Sequence, residues 1–384
     1  MKSLGRSSSI ALMMILRALY AMNWYNVSPL LPDILGTYGT PLYLGGFMLF
    51  AFLIGTAIFQ VPSGIIAARI GSKNTAMTGM ILMSISAAFS IYSPDFTVFL
   101  FSRFIVGVGS AFFFSSGVGV LNDIDKEHSK TNIAIFNTSF SVGGGIGIVA
   151  FQLLSSSYSW QVLMVYSGIV TLIFSIIGSI LIPSKRTAGS HSEFTKNVKE
   201  RFFSKPLLLL SLSLSGYWGT NFTFGEYEVN YAKYIGFADG TAGIIGSLAL
   251  FAGILGLLLY RRIRIASPSV LLPSLLVSIS IVIATQALGF PYELFFVSAF
   301  AGAISIMLFS LEYYYVILLE KEEKYVPLSI SIMNGIQIAT GSLIAAVFGY
   351  LYAFSPELSW LFLPAVSLGM FPLGIKTIRE IKAS

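Results

Sequence analysis

Glu312 stands in the run Ser310-Leu311-Glu312-Tyr313-Tyr314-Tyr315, and it is the one carboxyl group of the chain with apolar or aromatic residues on both sides for several positions. A carboxyl group desolvated in this way suits taking up a proton on one side of a barrier and giving it back on the other. Arg17 is the cationic counterpart. It opens the segment Arg17-Ala18-Leu19-Tyr20-Ala21-Met22-Asn23-Trp24, which runs on through Asn26 and Ser28 to Pro29 and Pro32. On a helix turning about 100° per residue, Arg17, Tyr20, Trp24 and Ser28 share one stripe while Asn23 and Asn26 lie together away from it. A guanidinium fork pairs with carboxylate or phosphate by two parallel hydrogen bonds, so the stripe predicts the wall of an anion site. Tyr20, Asn23, Trp24, Asn137, Trp218, Asn221 and Asn334 are taken with Arg17 to line it. Arg103, Glu226 and Asp33 join Glu312 as candidates for proton coupling. Glu226 and Glu228 fall near the outer end of their helix, where an exposed face is the default, and their i, i+2 spacing points them in different directions.

All of these residues interrupt long apolar blocks. The chain of 384 residues is 55% hydrophobic and 10% charged, with a mean hydropathy of +0.81. A soluble domain carries roughly a quarter charged residues, so most of this surface must face hydrocarbon. That excludes a cytosolic enzyme, a nucleic-acid-binding domain and a disordered scaffold. The net charge of +6 is spread in short basic tracts between apolar runs, which is a pattern of membrane topology and not of nucleic-acid binding. With no cysteine, disulfides and thiolate metal sites are excluded, and His128 and His191 both lie in polar segments, so no metal or other cofactor is expected.

A bilayer-crossing helix needs about 20 apolar residues, and candidates fall at 10–31, 42–63, 75–93, 97–121, 132–154, 160–182, 206–232, 242–260, 269–289, 293–319, 327–354 and 359–376. The blocks are too long and too continuously apolar for barrel strands. The first block follows Lys2 and Arg6 as a signal peptide would, but it passes through Arg17 and Trp24 with no small-residue cleavage site, and is read as an uncleaved helix. Assigning both termini and alternate loops to one side places 20 of the 23 Lys and Arg there. Both termini are therefore expected to be cytoplasmic. An odd number of spans would scramble that asymmetry.

The longest polar stretch, Pro183 to Lys205, divides the spans six and six. It predicts an N-terminal bundle over 1–183, a cytoplasmic linker over 184–205 and a C-terminal bundle over 206–384. Landmarks recur in the same order in both parts. Gly64 with Arg69 is matched by Gly256 with Arg261, Asn137 with Gly144 by Asn334 with Gly341, and Ser159-Trp160 by Ser359-Trp360, at offsets of 192, 197 and 200. Two homologous six-helix halves are the mark of a duplicated transporter.

At these positions the chain resembles the major facilitator superfamily over essentially its whole length. The family's loop motif G-x-x-x-D-R-x-G-x-[RK] is met by Gly64, Arg69, Gly71 and Lys73, with Ala68 where the acid stands. Its second copy is met by Gly256 and Arg261, with Tyr260 at the acid position. The resemblance implies that Gly64, Arg69, Gly71, Lys73, Gly256 and Arg261 belong to a cytoplasmic gate, although the missing acid removes the interaction that locks it. Arg103-Phe-Ile-Val-Gly107-Val-Gly109-Ser-Ala111 looks like the family's R-x-x-x-G-x-G-x-A motif, which implies a part for Arg103 in proton coupling. Arg103 is also about 9 Å inside the membrane if its helix enters at Thr97. The stretch Ser141-Val-Gly143-Gly144-Gly145-Ile-Gly147 lacks the proline of the family's drug/proton antiporters, which weighs against that branch, and Gly143 and Gly147 make a small-xxx-small packing face.

The function expected is secondary active transport by alternating access, driven by an ion gradient because no nucleotide-binding motif is present. Protons are the coupling ion the buried carboxyl and arginine groups favour, and uniport stays open. Arg17 with Tyr20, Asn23 and Trp24 suits a small organic anion. A cavity rich in Phe, Tyr and Met suits amphipathic drugs or metabolites leaving by proton antiport. A third possibility is a sensor of the same fold that has lost transport. Catalysis is not expected, nor a nucleic-acid partner, and the protein is taken to act as a monomer in the bilayer of the cell membrane.

Overall fold

A computed structural model of the chain describes residues 4–183, 198–260, 268–320 and 325–383. Its first half contains α1 (Arg6–Tyr25), α2 (Gly46–Ile70), α3 (Ser72–Phe89), α4 (Phe96–Ile124), α5 (Ser129–Leu154) and α6 (Trp160–Leu181). The second contains α7 (Lys205–Tyr234), α8 (Asp239–Tyr260), α9 (Pro268–Thr285), α10 (Glu293–Leu319), α11 (Val326–Phe354) and α12 (Phe362–Met370). No strand occurs among the described residues. α1 stops at Tyr25 and the chain turns through Ser28–Leu30 into a short helix, Leu31–Thr37. Pro29 and Pro32 cause this, because a proline ring removes a donor and clashes with the preceding turn. α12 is cut short in the same way by the turn Phe371–Gly374, which contains Pro372.

Among the described residues, ten segments are long and apolar enough to cross a membrane. The two long helices outside that set are α1 and α7. They carry Arg17, Asn23 and Asn26, and Glu226, Glu228 and Asn230, all buried inside the protein. Hydropathy falls where polar groups face the interior instead of lipid.

The packing repeats after six helices. α1 lies on α5 and α6, α4 on α2 and α3, and α3 on α6; correspondingly α7 lies on α11 and α12, α10 on α8 and α9, and α9 on α12. The halves meet where α2 packs on α11 and α5 on α8. Glycines set the spacing at these crossings. A Cβ on Gly107 would sit 2.0 Å from the Phe52 carbonyl oxygen, and one on Gly302 would sit 1.9 Å from that of Ala249. Only a missing side chain permits so close an approach.

Ends alternate between two faces. On one face Leu4 N–H donates to the Leu181 carbonyl at 2.9 Å, Arg6 pairs with Asp125, and Arg201 pairs with Glu320 at 2.8 Å. On the other, Trp160 donates to Thr37 at 2.8 Å and Tyr234 to Glu357 at 2.7 Å. Among the described residues the first face also carries Arg69, Lys73, Lys126 and Lys205, and the positive-inside rule predicts that it is the cytoplasmic one. The cysteine-free chain makes this testable. Cysteines replacing the exposed Tyr92 and Lys126 should react with an impermeant maleimide from outside and only after permeabilisation, respectively. The same accessibility for both would be incompatible with the alternation.

Candidate substrate cavity

Between the halves lies a cavity of about 250 Å³. Its wall is aromatic and aliphatic, and Arg17 is the one charged residue among those that line it. α1 brings Arg17 and Trp24 to the wall, α5 brings Asn137 and Phe140, α7 brings Trp218 and Asn221, and α10 brings Tyr313. The outer end is closed above it. Ser28 donates to the carbonyls of Gly225 and Glu226 at 3.0 and 2.8 Å, Asn230 donates to the Ser28 carbonyl at 2.8 Å, and Gln152 donates to Asp239 at 3.0 Å. A Cβ on Gly46 would fall 2.4 Å from the Ala345 carbonyl oxygen, so α2 and α11 touch backbone to backbone there.

Arg17 is 5% exposed. Its guanidinium carbon stands 4.7 to 5.2 Å from the ring centres of Tyr20, Phe114, Phe136 and Phe140. Such faces attract a cation, at about 2 kcal/mol for a desolvated contact. The phenyl rings supply no hydrogen-bond acceptor; the Tyr20 hydroxyl bonds the guanidinium as well as Ser110, and Nε and Nη1 of Arg17 are buried without a partner. A guanidinium with unused N–H groups beside a cavity can pair with a carboxylate or phosphate by two parallel hydrogen bonds.

Glu312 is fully buried on α10. Trp218 Nε1 donates to both its oxygens, at 2.8 and 3.0 Å, and Gln337 Nε2 donates to Oε2 at 3.2 Å. It stands one layer behind the wall formed by Trp218 and Tyr313. Arg103, 2% exposed, donates to Asn26 Oδ1 at 3.2 Å, and it interacts electrostatically with Glu226 across the interface between the halves.

Several expectations need adjusting. Glu226 and Glu228 are not on an exposed face: they are 3% and 0% exposed. α11 and the loop after α9 cover the outer third of α7, and a single helix cannot reveal that. Glu228 accepts from Ser298 and Gln286, both at 2.6 Å, inside the second half. Asp33 is exposed on the short helix after α1, away from the buried charges. Asn23 is turned towards α6, donating to Thr171 at 2.7 Å, and Tyr20 bonds Ser110 at 2.7 Å; neither lines the cavity. Asn334 stands behind the wall, donating to the Tyr313 hydroxyl at 3.3 Å. Of the residues expected at the gate, Gly71 has φ +88° and forms the turn from α2 to α3, where glycine alone is unstrained. Arg69 is exposed and Lys73 half-buried. Gly64 has open space around it, while Gly256 packs within the second half, its Cβ position 2.2 Å from the Ala303 carbonyl oxygen. Arg261 lies outside the described residues.

Phe140, Phe222, Phe309, Tyr313 and Gln337 were not singled out from the sequence. The spacing of Trp218 and Phe222 by four residues was a signal for the α7 wall. Gln337 had one too, since it follows by three residues the Asn334 that repeats Asn137.

The Major Facilitator Superfamily model matches residues 13–231. The chain belongs to that family and is a multi-pass membrane protein of the transporter fold. A curated relative, the quinolone resistance protein NorA of Staphylococcus aureus (strain MRSA252), is 27% identical over 237 residues, covering 58% of this chain and 60% of NorA. The chain thus aligns with about three fifths of that relative's length. Among solved structures, a D-xylose-proton symporter superposes with a TM-score of 0.77 at 15% identity over 98% of both chains. A bacterial homologue of the human lysosomal transporter Spinster, inward-facing and unoccupied, superposes with a TM-score of 0.75 at 15% identity, again over 98% of both.

If Arg17 serves a ligand and not the fold, removing its charge should not destabilise the empty protein. Arg17→Met fills the same aromatic cage with a side chain that needs no hydrogen bonds, and replacing buried ionic groups by apolar ones is commonly neutral or stabilising. The thermal midpoint of the purified variant is expected to equal or exceed the parent's. A drop of several degrees would mark Arg17 as structural.

Proposed function

We propose that the protein is a proton-coupled secondary transporter whose substrate is a small organic anion with an aromatic or otherwise flat apolar body. The observation that carries this reading is the buried, partly unpartnered guanidinium of Arg17 on the wall of an otherwise uncharged cavity. The anionic group meets Arg17, and the apolar body rests on Trp24, Phe140 and Trp218. Glu312 takes and returns the proton, with Glu226 and Arg103 as a second charged layer nearer the outer face. The halves, divided at the 184–205 linker, rock about the cavity to expose it to each side in turn. A sugar suits this wall less, because each hydroxyl buried without a partner costs free energy and polar side chains are few there.

A second reading, proton-driven efflux of amphipathic drugs, is supported by the likeness to a quinolone resistance protein and by the aromatic wall. The absent proline in α5 weighs against it. Both readings use the same two groups and differ in the direction of coupling.

Proteoliposomes loaded or bathed with naphthoate or a quinolone carboxylate test them, with xylose as the neutral control. Arg17→Ala is expected to abolish uptake of the anions, and Arg17→Lys to weaken it about tenfold by losing the two-pronged geometry. Unchanged apparent affinity in both variants would remove Arg17 from the site. Glu312→Gln holds the shape of the protonated side chain. It should still exchange substrate between equal concentrations and lose accumulation driven by a pH gradient. Full uphill accumulation by that variant would move the coupling group elsewhere.

A further inference from the structure

The polar arrangement behind the cavity wall is incomplete in one specific respect. Glu312 accepts three hydrogen bonds, two from the Trp218 indole and one from the Gln337 amide nitrogen. The other end of that amide, Gln337 Oε1, is buried with no partner, and Gln337 is fully buried. An ionised carboxylate only accepts, so it takes N–H donors from Trp218 and Gln337 while the amide oxygen beside it is left over. A neutral carboxyl group has one O–H to donate, and the acceptor it needs is already waiting on the same Gln337 side chain.

We infer that Trp218 and Gln337 are positioning residues that transmit the proton state of Glu312 to the cavity, through an exchange of hydrogen-bond partners. This rests on the proton role proposed for Glu312. When a proton arrives at one Glu312 oxygen, that oxygen donates to Gln337 Oε1 as the amide turns over. The forked hold on the indole N–H falls to a single oxygen. When the proton leaves, the amide turns back and both oxygens again grip the indole. The bond from Gln337 Nε2 to Glu312 is given up as the amide turns and is remade when the proton leaves.

Trp218 is placed to make this exchange felt. Its ring lines the cavity and packs on Phe222 at 5.0 Å and on Phe309 at 4.6 Å. Phe222 stacks on Trp24 of the other half at 5.4 Å and 25°. Trp24 packs on Tyr20 at 5.6 Å, and Tyr20 on Arg17 at 4.8 Å. A row of touching rings therefore runs from the carboxyl group of one half to the guanidinium of the other. The titratable groups that face Glu312 are Tyr217 of its α7 neighbour and Tyr313 beside it on α10, and Arg17 reaches Tyr313 across the cavity. Tyr217 donates to the Ser305 carbonyl at 2.7 Å, and Tyr313 accepts from Asn334. Both are engaged elsewhere, so the partner exchange falls to Trp218 and Gln337. A packed network earns the name of coupling only through an element with two discrete arrangements, and the amide supplies it.

The chain has four tryptophans, so the indole N–H NMR signal of Trp218 can be assigned by its disappearance in Trp218→Phe. In the parent, with no substrate added, that signal is expected to shift with pH. In Glu312→Gln it should stay fixed, and in Gln337→Leu the shift should be reduced. Gln337 lies behind the wall and touches no part of the proposed site, so Gln337→Leu is the functional test. It should bind naphthoate within about threefold of the parent, yet lose about tenfold in pH-driven accumulation, the size of a typical coupling energy. A parent signal that ignores pH, or a Gln337→Leu protein that accumulates naphthoate as the parent does, would overturn the exchange. If Glu312→Gln itself accumulates normally, the failure belongs to the proton role of Glu312 instead.

Discussion

Away from the Arg6–Asp125 pair at the end of the first half, the buried charges of the described residues lie with opposite signs in opposite halves and make no salt bridge. Arg17 and Arg103 belong to the first half, and Glu226, Glu228 and Glu312 to the second. At membrane depth each ionised group costs several kcal/mol unless it meets a partner or a cavity. The fold meets that cost with rings around Arg17, an amide and an indole around Glu312, and Asn26 beside Arg103. None of these partners neutralises a charge. The proposed function meets the remaining demand with a mobile proton and a mobile anion.

The glycine crossings serve this arrangement. Gly107 and Gly302 bring α4 and α10 against α2 and α8, so the helices carrying Arg103 and Glu312 are fixed within their own halves. The contacts between halves are of another kind. At the outer end they are a few hydrogen bonds centred on Ser28 and the backbone contact of Gly46 with Ala345. Between the ends, the halves are joined by two helix pairs, α2 on α11 and α5 on α8, and by the stacked rings of Trp24 and Phe222.

Most of the architecture was legible in the sequence, because hydropathy, basic-loop asymmetry and the repeat at offsets near 192–200 each report on solvent or on duplication. The burial of Arg17 and Glu312 was legible from the apolar sequence around them. What failed was facing. Asn23 and Tyr20 share α1 with Arg17, yet one turns to α6 and the other bonds Ser110, since neighbouring helices decide which angle opens on the cavity. Glu226 and Glu228 were assigned an exposed face by their position near a helix end, and tertiary covering reversed it. Asp33 sits on the exposed face of the short helix after α1, whose Leu31, Ile34 and Leu35 are buried. The repeat that pairs Asn334 with Asn137 marked the turn of α11 that holds Gln337, but its contact with Glu312 on α10 depends on how two helices pack.

The central claim is that a proton and an organic anion share one cycle. Measuring both fluxes together in the same reconstituted vesicles tests it most directly. With no imposed pH difference, an outward or inward gradient of naphthoate is expected to drive proton movement in fixed proportion to substrate movement, and Glu312→Gln should carry the substrate flux alone. Substrate flux in the parent with no accompanying proton flux would contradict the account.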